Sequence, residues 1–437
     1  MSLRGAKGLE VKHLENMARD VPTPYQHPWK RCVGRRLFLG YGAGRNTHER
    51  AETMIRKTFA ALTLAAIFGN ALAAADEDHL PPGGASILTW TPEQQAWGYK
   101  NMEKLAPFRV IKRGDAIHAL PKGTPIDVKF TYENKTYDTA GYMQKFRASG
   151  VLAIKNGEIV LERYALGRTE KDRWTSFSVA KSVTSTLIGA AIKDGKIKSL
   201  DDKVTQYIPE MKGSAYDDVT VRQLITMTSG VKWNESYTDP NSDVAKVGLS
   251  ILEPGVNPVV SYMRRLPREA GPGTKFVYKT GETDLAGILL SNAVGKPLAD
   301  YLSEKVWGPY GMEQDAIWVE DVAGHERGGC CISMTLRDYG RMGQFMLEHG
   351  VVNGTQVVPA GWTEDATSKH VSEPPYGYFW WIIPGGYEAE GIFGQTMSVF
   401  PKERLVVVIN SAWPAAWSED INKVRFKYLT AIRAAAH

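Results

Sequence analysis

The sequence predicts an α/β protein of the α+β kind. One antiparallel sheet is covered by helices, a mostly helical region lies beside it, and a ligand cleft runs between the two. Three observations predict this. Two apolar runs flank Asn156-Gly157, residues 176–325 carry helical periodicity, and strand patterns return around Pro401-Lys402-Glu403-Arg404. Strand sets that bracket a helical insertion pack most simply as one antiparallel sheet. Ligand sites commonly occupy the cleft between such layers.

The elements follow in order. Residues 76–140 open with "DEDHLPPGG", polar and rich in Pro and Gly, and continue as weak elements and loops. "GVLAIKNGEIVLERYALG", from Gly150, reads as a hairpin, because Asn-Gly supplies the two positive-φ residues of a tight turn between twisted strands. "SVAKSVTSTLIGAAIKDGKI" is a helix with Gly195 as its stop. "VTVRQLITMTSG" is a second helix, closed by Gly230. "ETDLAGILLSNAVGKPLADYLSEKVWGPYGM" holds one or two more. "GIFGQTMSVFPKERLVVVINSAW" is a pair of strands, and "INKVRFKYLTAIRAAAH" is a basic amphipathic final helix.

A chain of 437 residues with 43% hydrophobic and 23% charged residues has room for one large two-layer domain or two smaller ones. The N-terminal region differs in character. "MIRKTFAALTLAAIFGNALAAADED", from Met54, has a basic start, an apolar run from Phe59 to Phe68, and an Ala71-Leu72-Ala73 cleavage pattern. That is the anatomy of an export signal. The run is short for a membrane span, and a buried N-terminal helix is the alternative. The expected layout is an upstream, non-native extension at 1–53, a signal peptide at 54–75, and one folded domain at 76–437. It implies a periplasmic or secreted protein with no stable membrane anchor. Residues 1–75 carry 12 Lys+Arg against 5 Asp+Glu, a net +7 of the chain's +5, so the remainder carries −2. The basicity therefore belongs to the leader, and nothing argues for nucleic acid as a partner.

Beyond the leader, only Cys330 and Cys331 remain. Adjacent cysteines bridge poorly, so they read as small buried residues rather than a vicinal disulfide. No H-E-x-x-H, C-x-x-C or phosphate-loop pattern occurs, so neither a metal nor a cofactor is expected.

Ser178-Val179-Ala180-Lys181 is an S-x-x-K pattern at the head of a helix, directly after "RWTSF". On the order of one such match arises by chance in a chain of this length. Residues i and i+3 share a helix face, with Cβ atoms roughly 5–6 Å apart, so Lys181 reaches the Ser178 hydroxyl. Serine needs such a neighbour to become a nucleophile, and the helix dipole favours developing negative charge there. An N-terminal cap with an exposed lysine is the alternative reading.

The wider pattern carries more. "SFSVAKSVTSTLIGAAIKDGKIKSLDDKVTQYIPE", "VTVRQLITMTSG" and "PGTKFVYKTGETDLAGILL", in this order and spacing, resemble the serine β-lactamase and penicillin-binding family. The branch is that of class C β-lactamases, family VIII-type carboxylesterases and D-aminopeptidases, and the similarity covers roughly residues 145–435. "TSGVKWNESYTDPNSD" and "INSAWP" look most like the nylon-oligomer (6-aminohexanoate-dimer) hydrolases. The resemblance implies a β-lactamase-like fold. Its second signature is a tyrosine, a variable residue, then Asn, Ser or Thr, which Tyr278-Lys279-Thr280 matches. Lys279-Thr280-Gly281 lies too early for the third signature, so Tyr278 is expected to matter and Lys279 to be dispensable. The third-signature region has Ala389-Glu390-Gly391 followed by Ile392, without the lysine that class C β-lactamases carry. The resemblance further implies backbone oxyanion donors at Ser178 and Ile392. Glycine at 391 lets the strand approach a ligand closely. Tyr237 matches by position a substrate-holding tyrosine of the nylon-oligomer hydrolases, with an ordinary loop tyrosine as the alternative. Trp380 and Trp381 are candidates for the pocket wall, although paired tryptophans before a strand are more often core.

The resulting expectation is a metal-free serine hydrolase acting on a small amide or ester. Ser178 is the nucleophile, Lys181 and Tyr278 handle its proton, and Lys181 keeps Tyr278 partly ionised. The alternatives are a β-lactamase, a D,D-peptidase, or a catalytically silent binding module on the same fold.

Overall fold

The computed structural model describes residues 86–248 and 253–437. The expected extension and signal peptide, with Cys32, lie outside the described residues.

The central sheet has six strands, all antiparallel: β1 (Ala148–Lys155), β2 (Glu158–Tyr164), β3 (Trp381–Ile383), β4 (Gly386–Gly391), β5 (Gln395–Phe400) and β6 (Leu405–Ser411). Their spatial order is β3-β4-β5-β6-β1-β2. The hairpin turns on Asn156 and Gly157, at φ 52° and 83°, the positive values such a turn requires. The pairing of β6 with β1, from Leu405 opposite Lys155 to Asn410 opposite Gly150, joins the two strand sets across the intervening chain.

Both faces of this sheet are covered, and side-chain alternation sorts the residues. Leu152, Ile154, Val406 and Val408 face one apolar core with Leu336, Tyr339, Met342 and Phe345. Val151, Ala153, Leu405, Val407 and Ile409 face a second core with Val424, Tyr428, Leu429 and Ile432. Burial on both faces is why β6 reads as the continuous run "LVVVINS" rather than an alternating one.

Four helices pack on the sheet and around the head of the serine helix. Helix α1 (Val179–Lys193) is buried from Val179 to Ala191 and ends ahead of Gly195, at φ 68°. Helix α2 (Thr280–Val294) packs against α1 and closes on Gly295, at φ 70°. Helix α3 (Leu336–Leu347) lies on the first face of the sheet. Helix α4 (Glu419–Ala435), capped by Ser418, lies on the second.

Three features depart from expectation. The "VTVRQLITMTSG" helix is only Val221–Ile225, well short of Gly230. The Thr226 hydroxyl bonds back to the Arg222 carbonyl at 2.9 Å and meets the Thr228 hydroxyl, and Met227 takes φ 56°. Threonine hydroxyls offer the backbone an alternative to continuing a helix. Second, residues 176–325 are helices spaced by long irregular stretches and include the strand Ala316–Val319. That strand belongs to a four-stranded sheet with Phe108–Ile111, Ile332–Met334 and Trp174–Thr175. Third, Cys330 and Cys331 are joined to each other in a vicinal disulfide, not left as separate thiols. Cys331 sits at φ 72° in the loop between the Ala316–Val319 and Ile332–Met334 strands.

Candidate active site

The chain leaves Trp174–Thr175 and turns at Phe177, at φ 44°, to start α1. Ser178 occupies the N-cap position, yet its side chain makes no capping bond. The hydroxyl instead accepts from Lys181 Nζ at 3.0 Å. Lys181 is fully buried one turn into the helix and also donates to Thr280 Oγ1 at 3.1 Å and Gly329 O at 2.8 Å. Three acceptors thus meet its three donors. Burial pushes the ammonium down to about 8, Glu235 and Asp284 pull it up, and Arg327 adds to the fall. The lysine is therefore a base within reach of neutral pH.

Tyr278 stands immediately before α2. Its ring stacks on Trp381, with centroids 5.6 Å apart, and Lys181 Nζ lies 5.2 Å from its centroid. The protein packed around the phenol raises it well above the usual range. Glu235 and Glu390 raise it further, and the neighbouring Ser178 hydroxyl lowers it. This opposes the expectation of a partly ionised tyrosine: desolvation penalises both charged forms, so phenol and neutral amine are favoured together.

Glu235, which the motifs did not reveal, ties these groups together. Its carboxylate accepts from the Thr280 amide at 3.0 Å, the Thr280 hydroxyl, the Tyr237 hydroxyl at 2.8 Å, and the Trp233 indole. Tyr237 in turn lines the cavity over Ser178. The only sequence trace of this is the proximity of Glu235 and Tyr237 in "WNESY". Gly329 is equally invisible beforehand. Its loop is pinned by Asp284 to the Gly329 amide at 2.8 Å and by Thr184 to the Gly328 carbonyl at 2.7 Å, which holds the Gly329 carbonyl on Lys181.

Lys279 does not enter the cavity. It is fully buried against Glu282 at 3.4 Å, and Glu282 also accepts from Tyr216 and Ser229. The lysine is the counter-charge of a buried carboxylate, a structural role apart from the catalytic one that the motif reading withheld from it.

Opposite the serine, β4 ends at Gly391. A Cβ there would lie 2.5 Å from the Ser176 carbonyl and 3.0 Å from the Ser178 amide nitrogen, so only glycine seats the strand against the head of α1. Ile392 follows directly and lines the same cavity as Ser178. Among the described residues, no turn or loop bond engages the Ser178 or Ile392 amide.

The cavity measures about 410 Å³. Its walls are mainly apolar, from Trp381, Ile382, Ile383, Trp417 and Phe426, with Glu390 and Asn422 as polar members. Trp380 is not among them. It is buried against Tyr387, with centroids 5.2 Å apart, while Trp381 faces the cavity. Successive side chains at the start of a strand point to opposite sides, so only one of the pair reaches a ligand. Among the described residues, no group of three or more His, Cys, Asp or Glu side chains is arranged to hold a metal ion.

An antiparallel sheet between helical layers, with a serine–lysine pair at a helix head and a strand edge opposite, defines a hydrolase of the β-lactamase fold. The chain belongs to the β-lactamase family, whose profile matches residues 133–424. It is 28% identical over 340 residues to a 6-aminohexanoate-dimer hydrolase of Paenarthrobacter ureafaciens, covering 73% of this chain and 85% of the relative. A β-lactamase of Pseudomonas fluorescens is 25% identical over 199 residues, covering 43% of this chain and 51% of the relative. A solved structure from Bacillus anthracis, provisionally named a 6-aminohexanoate-dimer hydrolase, superposes with a TM-score of 0.71 at 24% identity, covering 81% of this chain and 97% of its own.

Proposed function

We propose that the chain is an exported serine hydrolase that cleaves amide or ester bonds of small linear molecules through an acyl-enzyme, as a relative of the 6-aminohexanoate-dimer hydrolases. The observation that carries the reading is the 3.0 Å contact between Ser178 Oγ and a buried Lys181 whose ammonium is pushed down to about 8.

In this mechanism neutral Lys181 takes the Ser178 proton as the oxygen attacks the carbonyl. The Ser178 and Ile392 amides hold the oxyanion, and such preorganised donors act where charge develops. The Tyr278 phenol protonates the departing nitrogen or oxygen. Lys181 returns a proton to Tyr278 and is neutral again. Lys181 then accepts a proton from the deacylating water and delivers it to Ser178 as the acyl group leaves. General acid–base help of this kind contributes roughly a hundred- to ten-thousand-fold.

β-Lactamase or D,D-peptidase action is the second reading, favoured by the family itself. Against it stands a cavity lined by no lysine or arginine among the described residues, with Glu390 on its wall. The test is labelling with a fluorophosphonate probe and turnover of a p-nitrophenyl ester, the 6-aminohexanoate dimer and nitrocefin. The expected result is a Ser178 adduct, with the ester and linear amide cleaved faster than nitrocefin. Loss of both labelling and turnover is expected in a folded Ser178→Ala variant. An unlabelled wild-type protein indicates a silent binding module, and efficient nitrocefin hydrolysis restores the β-lactamase assignment.

A further inference from the structure

We propose that the Cys330–Cys331 disulfide is a thiol-modification site that controls the serine–lysine pair. Closed, it holds the loop that seats Lys181 and Ser178; opened by a dithiol reductant, it releases both. The inference rests on the serine hydrolase reading but concerns a site outside the cavity, since neither cysteine is among the cavity walls.

Two backbone contacts tie the disulfide to the pair. On one side, the Gly329 carbonyl accepts from Lys181 Nζ at 2.8 Å. That carbonyl belongs to the peptide unit whose nitrogen is that of Cys330, and the Cys330 amide donates to Arg327 O at 3.1 Å. On the other side, the Cys331 amide donates to Phe177 O at 3.3 Å, and Phe177 directly precedes Ser178. Ile332 follows and exchanges bonds with Ser176. The Ser176 amide donates to Ile332 O at 2.8 Å, and the Ile332 amide donates to Ser176 Oγ at 3.0 Å. The cysteine pair thus sits between the lysine and the turn that presents the serine.

Backbone conformation makes these contacts depend on the disulfide. Cys331 takes φ 72° and its partner Phe177 takes φ 44°, the left-handed region that residues with a side chain seldom adopt. A bond between adjacent side chains closes a small ring through their shared peptide and removes the freedom by which Cys331 would return to the extended region. Asp284 fixes the Gly329 amide at 2.8 Å. The Gly329 carbonyl lies beyond that glycine's own soft torsion, so its aim on Lys181 comes from the peptide it shares with Cys330.

Cys330 is half-buried, whereas Cys331 is 7% exposed, in an apolar cluster with Tyr99, Trp174, Phe177 and Phe393. Attack therefore falls on Cys330. A reductant thiolate bonds to Cys330 Sγ, the S–S bond breaks, and Cys331 leaves as a thiolate that takes up a proton. The reductant's second thiol, as its thiolate, then displaces Cys330, which is protonated in turn. The protein gains two electrons and two protons, and the dithiol is left as its own disulfide. Cys331 can then leave the left-handed region, its bond to Phe177 opens, and the Gly329 carbonyl loses its aim on Lys181. Thr280 Oγ1 remains as an acceptor, and Glu235, Asp284, Arg327 and Tyr278 still face the lysine. Loss of an acceptor disfavours the ammonium, and Nζ is no longer held in line with Ser178.

The experiment compares oxidised protein with protein reduced by dithiothreitol and freed of excess reagent under argon. Thiols are counted by maleimide mass shift, and p-nitrophenyl acetate hydrolysis is followed from pH 5 to pH 10. Reduction should expose both thiols and lower kcat by roughly ten- to a hundred-fold, as misplacing a reacting group does. KM should hold, the acid limb of kcat/KM should move downward, and reoxidation should restore both kcat and limb. Hydrogen exchange over residues 174–182 and 327–333, which needs no substrate, should rise on reduction. A Cys330→Ser/Cys331→Ser variant should have the low kcat from the outset and ignore the reductant, which also sets aside any effect of Cys32. The wild-type comparison needs no variant, so poor folding of the double variant leaves the test standing. A pair that stays oxidised in excess dithiothreitol, or that is recovered as two thiols, overturns the site. So does full reduction with kcat, limb and exchange unmoved, or a loss that reoxidation does not reverse. An absence of ester hydrolysis in both redox states, or hydrolysis that survives Ser178→Ala, overturns the hydrolase reading instead, while thiol count and exchange still read the modification.

Discussion

Neutralising Glu235 should move the pH profile of the enzyme without dismantling its site. Glu235 raises the Lys181 ammonium against the dominant effect of burial. The two are linked through the Thr280 hydroxyl, 3.1 Å from Lys181 Nζ and hydrogen-bonded to the carboxylate. Two hydrogen bonds in series set the charges no more than roughly 6 Å apart. At an effective dielectric constant of about 20, that separation is worth about 2–3 kcal/mol, or roughly two pH units at 1.36 kcal/mol each. Solvent reaching the cavity reduces this to roughly one to two units. Removing the negative charge destabilises the ammonium, so its value falls below about 8. Activity that needs neutral Lys181 then appears at lower pH. In Glu235→Gln the acid limb of kcat/KM, measured from pH 5 to 10 with a p-nitrophenyl ester, should shift downward by that amount. A variant that merely loosened the site would lose rate at every pH with the limb in place. An unmoved limb, or one displaced upward, refutes the assignment of Lys181 as the base.

Four further outcomes follow from named contacts. Gly391→Ala should lower kcat by roughly a hundred- to a thousand-fold, the size of losing an oxyanion donor, because its Cβ would press on the Ser178 amide at 3.0 Å; wild-type kcat in the folded variant contradicts this. Lys279→Ala should destabilise the protein by about 3–5 kcal/mol in denaturant titration by leaving Glu282 buried without its counter-charge, and an unchanged midpoint argues against the pair. Trp380→Ala should cost about 3–5 kcal/mol of stability through the void it leaves, whereas Trp381→Ala should chiefly raise KM, since only Trp381 lines the cavity and stacks on Tyr278; the reverse pattern shows the two roles exchanged. Protein recovered from native cells should begin at or near Ala74, and N-terminal sequencing that finds residues 1–53 retained refutes the export reading.

What the sequence determined by itself was whatever depends on near neighbours along the chain. The Asn156-Gly157 turn, the two strands around Pro401, and the Ser178-Lys181 pair one helical turn apart are local geometry, set by backbone preference and periodicity. The joining of the hairpin to the late strands was legible because strand sets that bracket a helical insertion pack most simply as one antiparallel sheet. The four-stranded sheet escaped notice because its strands span only two to four residues, too few to show a period. Tertiary structure alone decided the electrostatics. Burial pushes the Lys181 ammonium down to about 8 and, from 54 to 146 positions away, Arg327 adds to the fall while Glu235 and Asp284 oppose it. Trp381 rather than Trp380 lines the cavity because of the phase in which β3 joins the sheet. Glu388 and Glu390 share one guanidinium, that of Arg425, 35 residues beyond Glu390. Charge and solvation act through space, and a motif records only which residues are present, not which of them the fold removes from water together.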